Sequence, residues 1–183
     1  MEINYKFCAF VDILGFKNKM SNFDDALNYY KQYFSAYESF DKSHDKLLES
    51  VRETLEVSTG DSIEEKVESV VFSDSIILIS SNWKAFLFRL SNISSLFMSY
   101  GFVFRGGIGF GKHYSEFDSN KTYIVSEGLV QAVEIESNFS VYPRIVISQL
   151  ALEEVLKSAK SLYDVNNMFI QSEDNMWFIN PFF

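Results

Sequence analysis

Cysteine occurs once in the chain, as Cys8, which excludes an intramolecular disulfide. Histidine occurs twice, as His44 and His113, and with a single thiol these cannot assemble a zinc site of Cys and His ligands. Two prolines and eight glycines in 183 residues leave a chain of regular elements with few loops. Positive charge is scarce as well. Sixteen Lys and Arg stand against 25 Asp and Glu, a formal net charge of −9. That balance lacks the basic footprint that backbone binding to DNA or RNA requires, and it argues against attraction to anionic lipid. Binding of a small polyanion would call for metal ions to neutralise the contact. The longest purely aliphatic stretch, Ile76 to Ile79, is far too short to span a bilayer. The N-terminal residues carry no signal-peptide pattern. The expectation is a cytoplasmic protein with neither a membrane nor a nucleic-acid partner.

What the chain has in quantity is apolar and aromatic side chains, 47% and 17% respectively, the latter including 19 Phe and 10 Tyr. A sizeable core can be buried, and with no internal repeat, low-complexity tract or linker, residues 1–183 read as one domain. Residues 5–12 (YKFCAFVD) are a nearly continuous apolar run, as in a strand buried on both faces, ending on Asp12 before Gly15. Asn22 or Asp24 can cap the following helix, whose apolar stripe runs from Ala26 to Phe40. A second, weaker helix is expected around 44–56, then a loop. The apolar runs 67–72 and 76–81, separated by Ser73-Asp74-Ser75, predict a hairpin with Asp74 at its turn. A helix over 83–100 stops at Gly101, and a glycine-rich strand follows at 102–111. Residues 112–125 read as a polar loop or an extended excursion. A helix near 127–137, a strand at 142–148, a helix at 149–160 and an extended apolar end from about 168 complete the chain. This order predicts an α/β sandwich with one antiparallel sheet and helices mainly on one face.

Three features of this pattern bear on chemistry. Asp12 ends a buried strand and Asp74 sits on a tight turn between two very apolar strands, where an ionised carboxylate is costly unless paired or bound to a cation. If the first strand lies beside the hairpin the two carboxylates converge, and such a pair with little histidine suits Mg²⁺ or Mn²⁺ far better than zinc. A capping role for Asp12 and an ordinary turn role for Asp74 remain the alternatives. Glycines 106, 107, 109 and 111 lie within a strand, not between a strand and a helix, so they do not form a dinucleotide fingerprint; they mark a close crossing by a neighbouring element. Arg105, among phenylalanine and glycines, has no packing reason to be there. Cys8 reads as a small core residue and His113 as a solvated loop residue.

FVDILGFK (residues 10–17), SVVFSDSIIL (69–78) and FRGGIGFG (104–111) resemble, in order and spacing, the three signatures of the class III nucleotidyl cyclases. The chain is more similar still to the small pyrimidine cyclases of bacterial anti-phage (Pycsar) systems, through FSDS, RGGI and the GLVQAVEIE segment (128–136) leading to YPRI (142–145). The resemblance spans residues 5 to about 148. It implies a βααββαβ ferredoxin-like or palm core with a C-terminal αβα extension. It also implies a two-metal uridylate cyclase, a phosphorus–oxygen lyase that turns UTP into cyclic UMP as an infection signal read by a separate effector. On this resemblance Asp12 and Asp74 hold two Mn²⁺ or Mg²⁺ ions, with the Ile13 carbonyl on one of them. Phe10, Gly15, Phe16 and Arg105 would meet the nucleotide, Gly15 and Phe16 through backbone N–H groups and Arg105 at the terminal phosphates. A homodimer with active sites at its interface is implied as well.

Departures from the family pattern narrow the substrate. Purine cyclases carry a base-selecting Lys or Glu four residues before the second aspartate, and here that residue is Val70. The Asn and Arg that stabilise the transition state would fall near Val130 and Glu134, and neither is present. Gln131, Asn138 and Arg144 are the candidates to replace them, as transition-state or base contacts. Two alternatives stay open beside UTP: a cytidylate cyclase making cyclic CMP, and a nucleotide-binding sensor of the same fold that has lost turnover. A diguanylate cyclase is disfavoured, because the hairpin carries FSDS in place of a GG-[DE]-[DE]-F signature.

Overall fold

A computed structural model of the chain describes residues 3–59, 67–118, 121–159, 165 and 167–181, and their side chains except at 44–59, 117, 118 and 121. The loop expected after residue 56 falls largely on 60–66, outside the described residues. The elements are β1 (Asn4–Ile13), α1 (Phe16–Lys19), α2 (Phe23–Thr59), β2 (Glu68–Phe72), β3 (Ser75–Ser80), α3 (Trp83–Ser99) and β4 (Phe104–Asp118). They continue with β5 (Lys121–Ser126), α4 (Glu127–Asn138), β6 (Ile145–Ile147), α5 (Gln149–Ser158), β7 (Phe169–Gln171) and β8 (Trp177–Ile179).

The strands form one sheet in the order β2-β3-β1-β4-β6-β8-β7, with β5 pairing the far half of β4. The central strand β1 is antiparallel to β3 on one side and β4 on the other, as the apolar run 5–12 predicts. Side chains then alternate between two faces. Phe7, Ala9, Val11 and Ile13 point into the main core, where Ile76, Leu78 and Ile108 join them under α2, α3 and α5. Cys8 with Ile77 and Ile79, backed by Phe10, Val70, Ile124 and Leu129, forms a smaller cluster on the opposite face, beside α4. Helices thus lie mainly on one face, and α4 packs on the other.

Two expectations change, on α2 and on the sheet, and two become specific, at 112–125 and at the C-terminal end. The two helices at 24–40 and 44–56 are one helix, α2, because no Gly or Pro interrupts 23–59 and a charged stretch does not break a helix. Of the two readings of 112–125 the extended excursion holds, as a two-stranded ribbon: β4 runs on to Asp118 and β5 returns from Lys121. Its polar residues decorate a ribbon with exposed sides, so the apolar alternation that reveals a strand is weak. The sheet is mixed, since α4 carries the chain across so that β6 runs parallel to β4, with Gly106 beside Ile145. The extended C-terminal segment is the β7–β8 hairpin, turning at Asn175 (φ 63°) and adding to β6 through Phe178.

Candidate functional site

The end of β1 is tied to its neighbours by backbone hydrogen bonds. The Ile13 N–H donates to the Asp74 carbonyl at 2.9 Å and the Leu14 N–H to the Val103 carbonyl at 2.8 Å. The first bond pins the β2–β3 turn, with Ser73 at φ 51°, against the last residues of β1. In register, Asp12 lies opposite Ser75 on β3 and opposite Arg105 on β4. Residues directly opposite share a face, so one row across three strands presents a hydroxyl, a carboxylate and a guanidinium on the α4 side of the sheet.

Helix α4 reaches this row because glycine fills the positions of β4 beneath it, 107, 109 and 111. A Cβ on Gly107 would stand 2.1 Å from the Ala132 carbonyl oxygen, and one on Gly109 would stand 2.1 Å from that of Gly128. The close crossing expected from these glycines is therefore a helix seated on a glycine stripe. Ser126 caps the helix by accepting from the Leu129 N–H at 3.1 Å. In its last turn α4 delivers Glu136, buried, with Oε1 2.6 Å from Nε of Arg105.

Charge is not balanced here. Burial first, then the nearby Asp74 carboxylate, pushes the Asp12 carboxyl up to about 6, while Glu136 adds to the rise. The Ser75 hydroxyl, donating to Asp12 Oδ1 at 3.2 Å, and Arg105 act in the other direction without offsetting it. Three acids thus converge with one guanidinium.

Of the residues singled out in the sequence, Asp12, Asp74 and Arg105 come together. Ile13 and Gly15 adjoin them: the Ile13 side chain is in the main core and its backbone at the site, and Gly15 turns the chain into α1 with φ 87°. Phe16 packs on Tyr29 and Tyr30, and Phe10 stands on the α4 face two residues before Asp12. Gln131 and Arg144 have other partners. The Gln131 amide accepts from the Phe110 N–H at 3.5 Å and donates to its carbonyl at 3.1 Å, satisfying the edge of β4 beyond β6. Arg144 binds Asp174 at 2.5 Å, Ser172 and the Phe139 carbonyl, and its guanidinium holds the Asp174 carboxyl well below the usual range. Asn138 donates to the Glu134 carbonyl one turn earlier.

His113 is not a solvated loop residue. It is 2% exposed on β4, beside Cys8 and across from Ser126, and burial lowers its pKa. Cys8 is a core residue as expected, its thiol pushed up to about 11 by burial. Glu136 went unassigned in the sequence, although a signal existed: it falls on the buried stripe of Gly128, Ala132 and Ile135, where an acid needs a partner.

The donor set fits a hard divalent cation. Asp12 and Asp74 bring carboxylate oxygens to a site where burial and the neighbouring charge already disfavour ionisation of Asp12, and a cation would relieve both. Among the described residues no group of three or more His, Cys, Asp or Glu side chains forms a metal cage. Two carboxylates whose ion takes its remaining ligands from water, carbonyl and phosphate oxygens are the usual arrangement for Mg²⁺.

No protein family and no curated protein matches the sequence. Among solved structures, the chain is similar to the guanylate cyclase domain of RhGC from Catenaria anguillulae in complex with GTP. The TM-score is 0.60 at 13% identity, over 98% of each chain. A bacterial light-regulated adenylyl cyclase superposes with TM-score 0.57 at 13% identity, over 99% of this chain and 92% of the other. The dimeric guanylyl cyclase domain of the RhoGC fusion protein from Blastocladiella emersonii gives 0.51 at 13% identity, over 98% of each chain. The fold is that of the class III nucleotidyl cyclases. On this cyclase fold the row Ser75–Asp12–Arg105 lies across the three central strands, with the Asp74 turn beside it. Among the described residues no helix is long and apolar enough to cross a membrane.

Proposed function

We propose that the chain is a pyrimidine nucleotide cyclase, converting UTP to 3′,5′-cyclic UMP and pyrophosphate, with CTP as the alternative substrate. The observation that carries this reading is the convergence of Asp12, Asp74 and Arg105 at the end of the central strand of a cyclase fold. A domain that only bound nucleotide would have no use for two half-buried, neighbouring carboxylates, which speaks against the degenerate sensor. Asp12 and Asp74 would hold two Mg²⁺ or Mn²⁺ ions, with the Ile13 carbonyl as a further ligand. Bound there, the ions supply the charge neutralisation and the lowered ribose 3′-hydroxyl pKa that in-line attack on the α-phosphorus requires.

The chain's own groups have separate tasks. Ser75 orients the Asp12 carboxylate through its hydrogen bond to Oδ1. Arg105 draws the terminal phosphates, the backbone N–H groups at Gly15 and Phe16 hold them at the start of α1, and Phe10 is a further nucleotide contact. The pyrimidine preference is supported by Val70, half-buried on β2 opposite Ile77, where no hydrogen-bonding side chain is offered to a purine edge. The apolar face around Phe10, Val70, Ile124 and Leu129 supports a homodimer with shared sites. The product would act as a second messenger of anti-phage defence, read by a separate effector.

Incubating the chain with ATP, GTP, CTP and UTP in turn, with Mn²⁺ or Mg²⁺, and identifying products by mass spectrometry tests the reading. A cyclic pyrimidine monophosphate from UTP or CTP is expected, and cyclic AMP or cyclic GMP as the main product would overturn the substrate assignment.

A further inference from the structure

Glu136 is an acid in the last turn of α4 with 7% of its side chain exposed. A carboxylate this buried is costly unless its oxygens are paired. Both are. Oε2 accepts from the Ser137 hydroxyl at 3.1 Å, and Oε1 lies 2.6 Å from Nε of Arg105. The guanidinium side chain is 30% exposed; its buried Nε meets Oε1 as an ion pair, outside hydrogen-bonding angles, and among the described residues no hydrogen bond engages its Nη atoms. Arg105 is therefore gripped by one edge while the other is left for an anion. The grip is stiff, because α4 rests backbone-on-backbone against the glycine stripe of the strand that carries Arg105. A long, flexible side chain held in this way loses its rotamer freedom before the ligand arrives, which lowers the cost of binding.

The geometry points to Glu136 as the positioning residue of Arg105, holding its Nε so that the Nη edge faces the terminal phosphates of a nucleoside triphosphate. This rests on the proposed function and names a determinant of triphosphate affinity within that site. A fork-shaped donor set held in a fixed plane matches phosphate oxygens bidentately, whereas an untethered arginine offers the same charge without the orientation.

Calorimetric titration with inorganic tripolyphosphate in the presence of Mn²⁺ reads this directly, alongside KM and kcat for UTP. Glu136→Gln keeps the shape and removes the charge; it should weaken tripolyphosphate binding about tenfold and raise KM more than it lowers kcat. Glu136→Asp, one methylene shorter, should recover part of the loss. In an Arg105→Lys background, Glu136→Gln should change nothing further. A melting curve confirms that each variant is folded. A wild-type chain that binds no tripolyphosphate sinks the nucleotide reading and the positioning role with it. Wild-type binding that a folded Glu136→Gln chain keeps unchanged, or tightens, sinks the positioning role alone.

Discussion

The Asp12 carboxyl ionises near pH 6 in the folded chain, because it is half-buried beside the Asp74 carboxylate. An aspartate in an unfolded chain ionises near about 3.9. Between those values the folded state binds more protons than the unfolded one, so stability falls as the pH rises through this window and stays lower above it. Discounted for partial exposure, the cost at neutral pH is roughly 1–2 kcal/mol. In the absence of divalent ions, Asp12→Asn is expected to melt roughly 2–8 °C above wild type at pH 7.5, with the difference closing below pH 4. Added Mg²⁺ or Mn²⁺ should raise the wild-type melting temperature and leave that of Asp12→Asn nearly unchanged. Melting curves that run parallel for the two chains from pH 4 to 8 would show that no such repulsion exists. At this scale the sequence was informative where a residue broke its own pattern. Asp12 and Arg105 stand out as charges in apolar or glycine-rich strands, whereas Glu136 hid in a helix with several acids, and only the packing of α4 shows which of them is buried.

Among the elements, α4 is the one whose position decides the site, and its seat on β4 requires glycine. Gly109→Ala would set a Cβ 2.1 Å from a helix carbonyl oxygen, a clash that neither backbone can relieve without moving. The expected loss is about 1–3 kcal/mol, read as a melting temperature lower by roughly 2–12 °C. Because Glu136 rides on the same helix, tripolyphosphate affinity should fall as well. An alanine variant with wild-type melting and binding would mean that α4 does not rest on this strand. The elements legible in the sequence were those with strong periodicity: β1, the hairpin, α3 and the glycine-rich start of β4. The β4–β5 ribbon was legible only as a loop or an extended excursion, because it is paired on one edge and largely exposed, so its residues carry little buried alternation. His113 was misread for the same reason, since its neighbours Lys112 and Tyr114 point away from the cluster that buries it. The unity of α2 was missed because a polar, charged composition was taken as a break where no helix-breaking residue stood.

For the whole molecule, the mixed sheet carries its large core on the α2, α3 and α5 face and leaves half-buried apolar residues beside α4 on the other. Ile124 of the ribbon, opposite Ser115, belongs to that face as well. A shared-site homodimer would cover it. Light scattering should then give twice the chain mass, and specific activity should fall on dilution below the dimer dissociation constant. A monomer with concentration-independent activity would remove the shared site from the account. The overall architecture was within reach of the sequence because motif order fixes strand order around β1; the parallel entry of β6 and the β7–β8 edge depend on contacts between distant segments that no local pattern encodes.

The central claim is that the carboxylate pair beside Arg105 turns a nucleoside triphosphate into a cyclic monophosphate. Phosphorus NMR of the purified chain with UTP and Mg²⁺ tests it most directly. A cyclic phosphodiester and pyrophosphate should appear in equal amounts, and neither should form with Asp74→Ala. UDP or UMP as the product, or bound UTP that stays intact with every divalent ion offered, would contradict it.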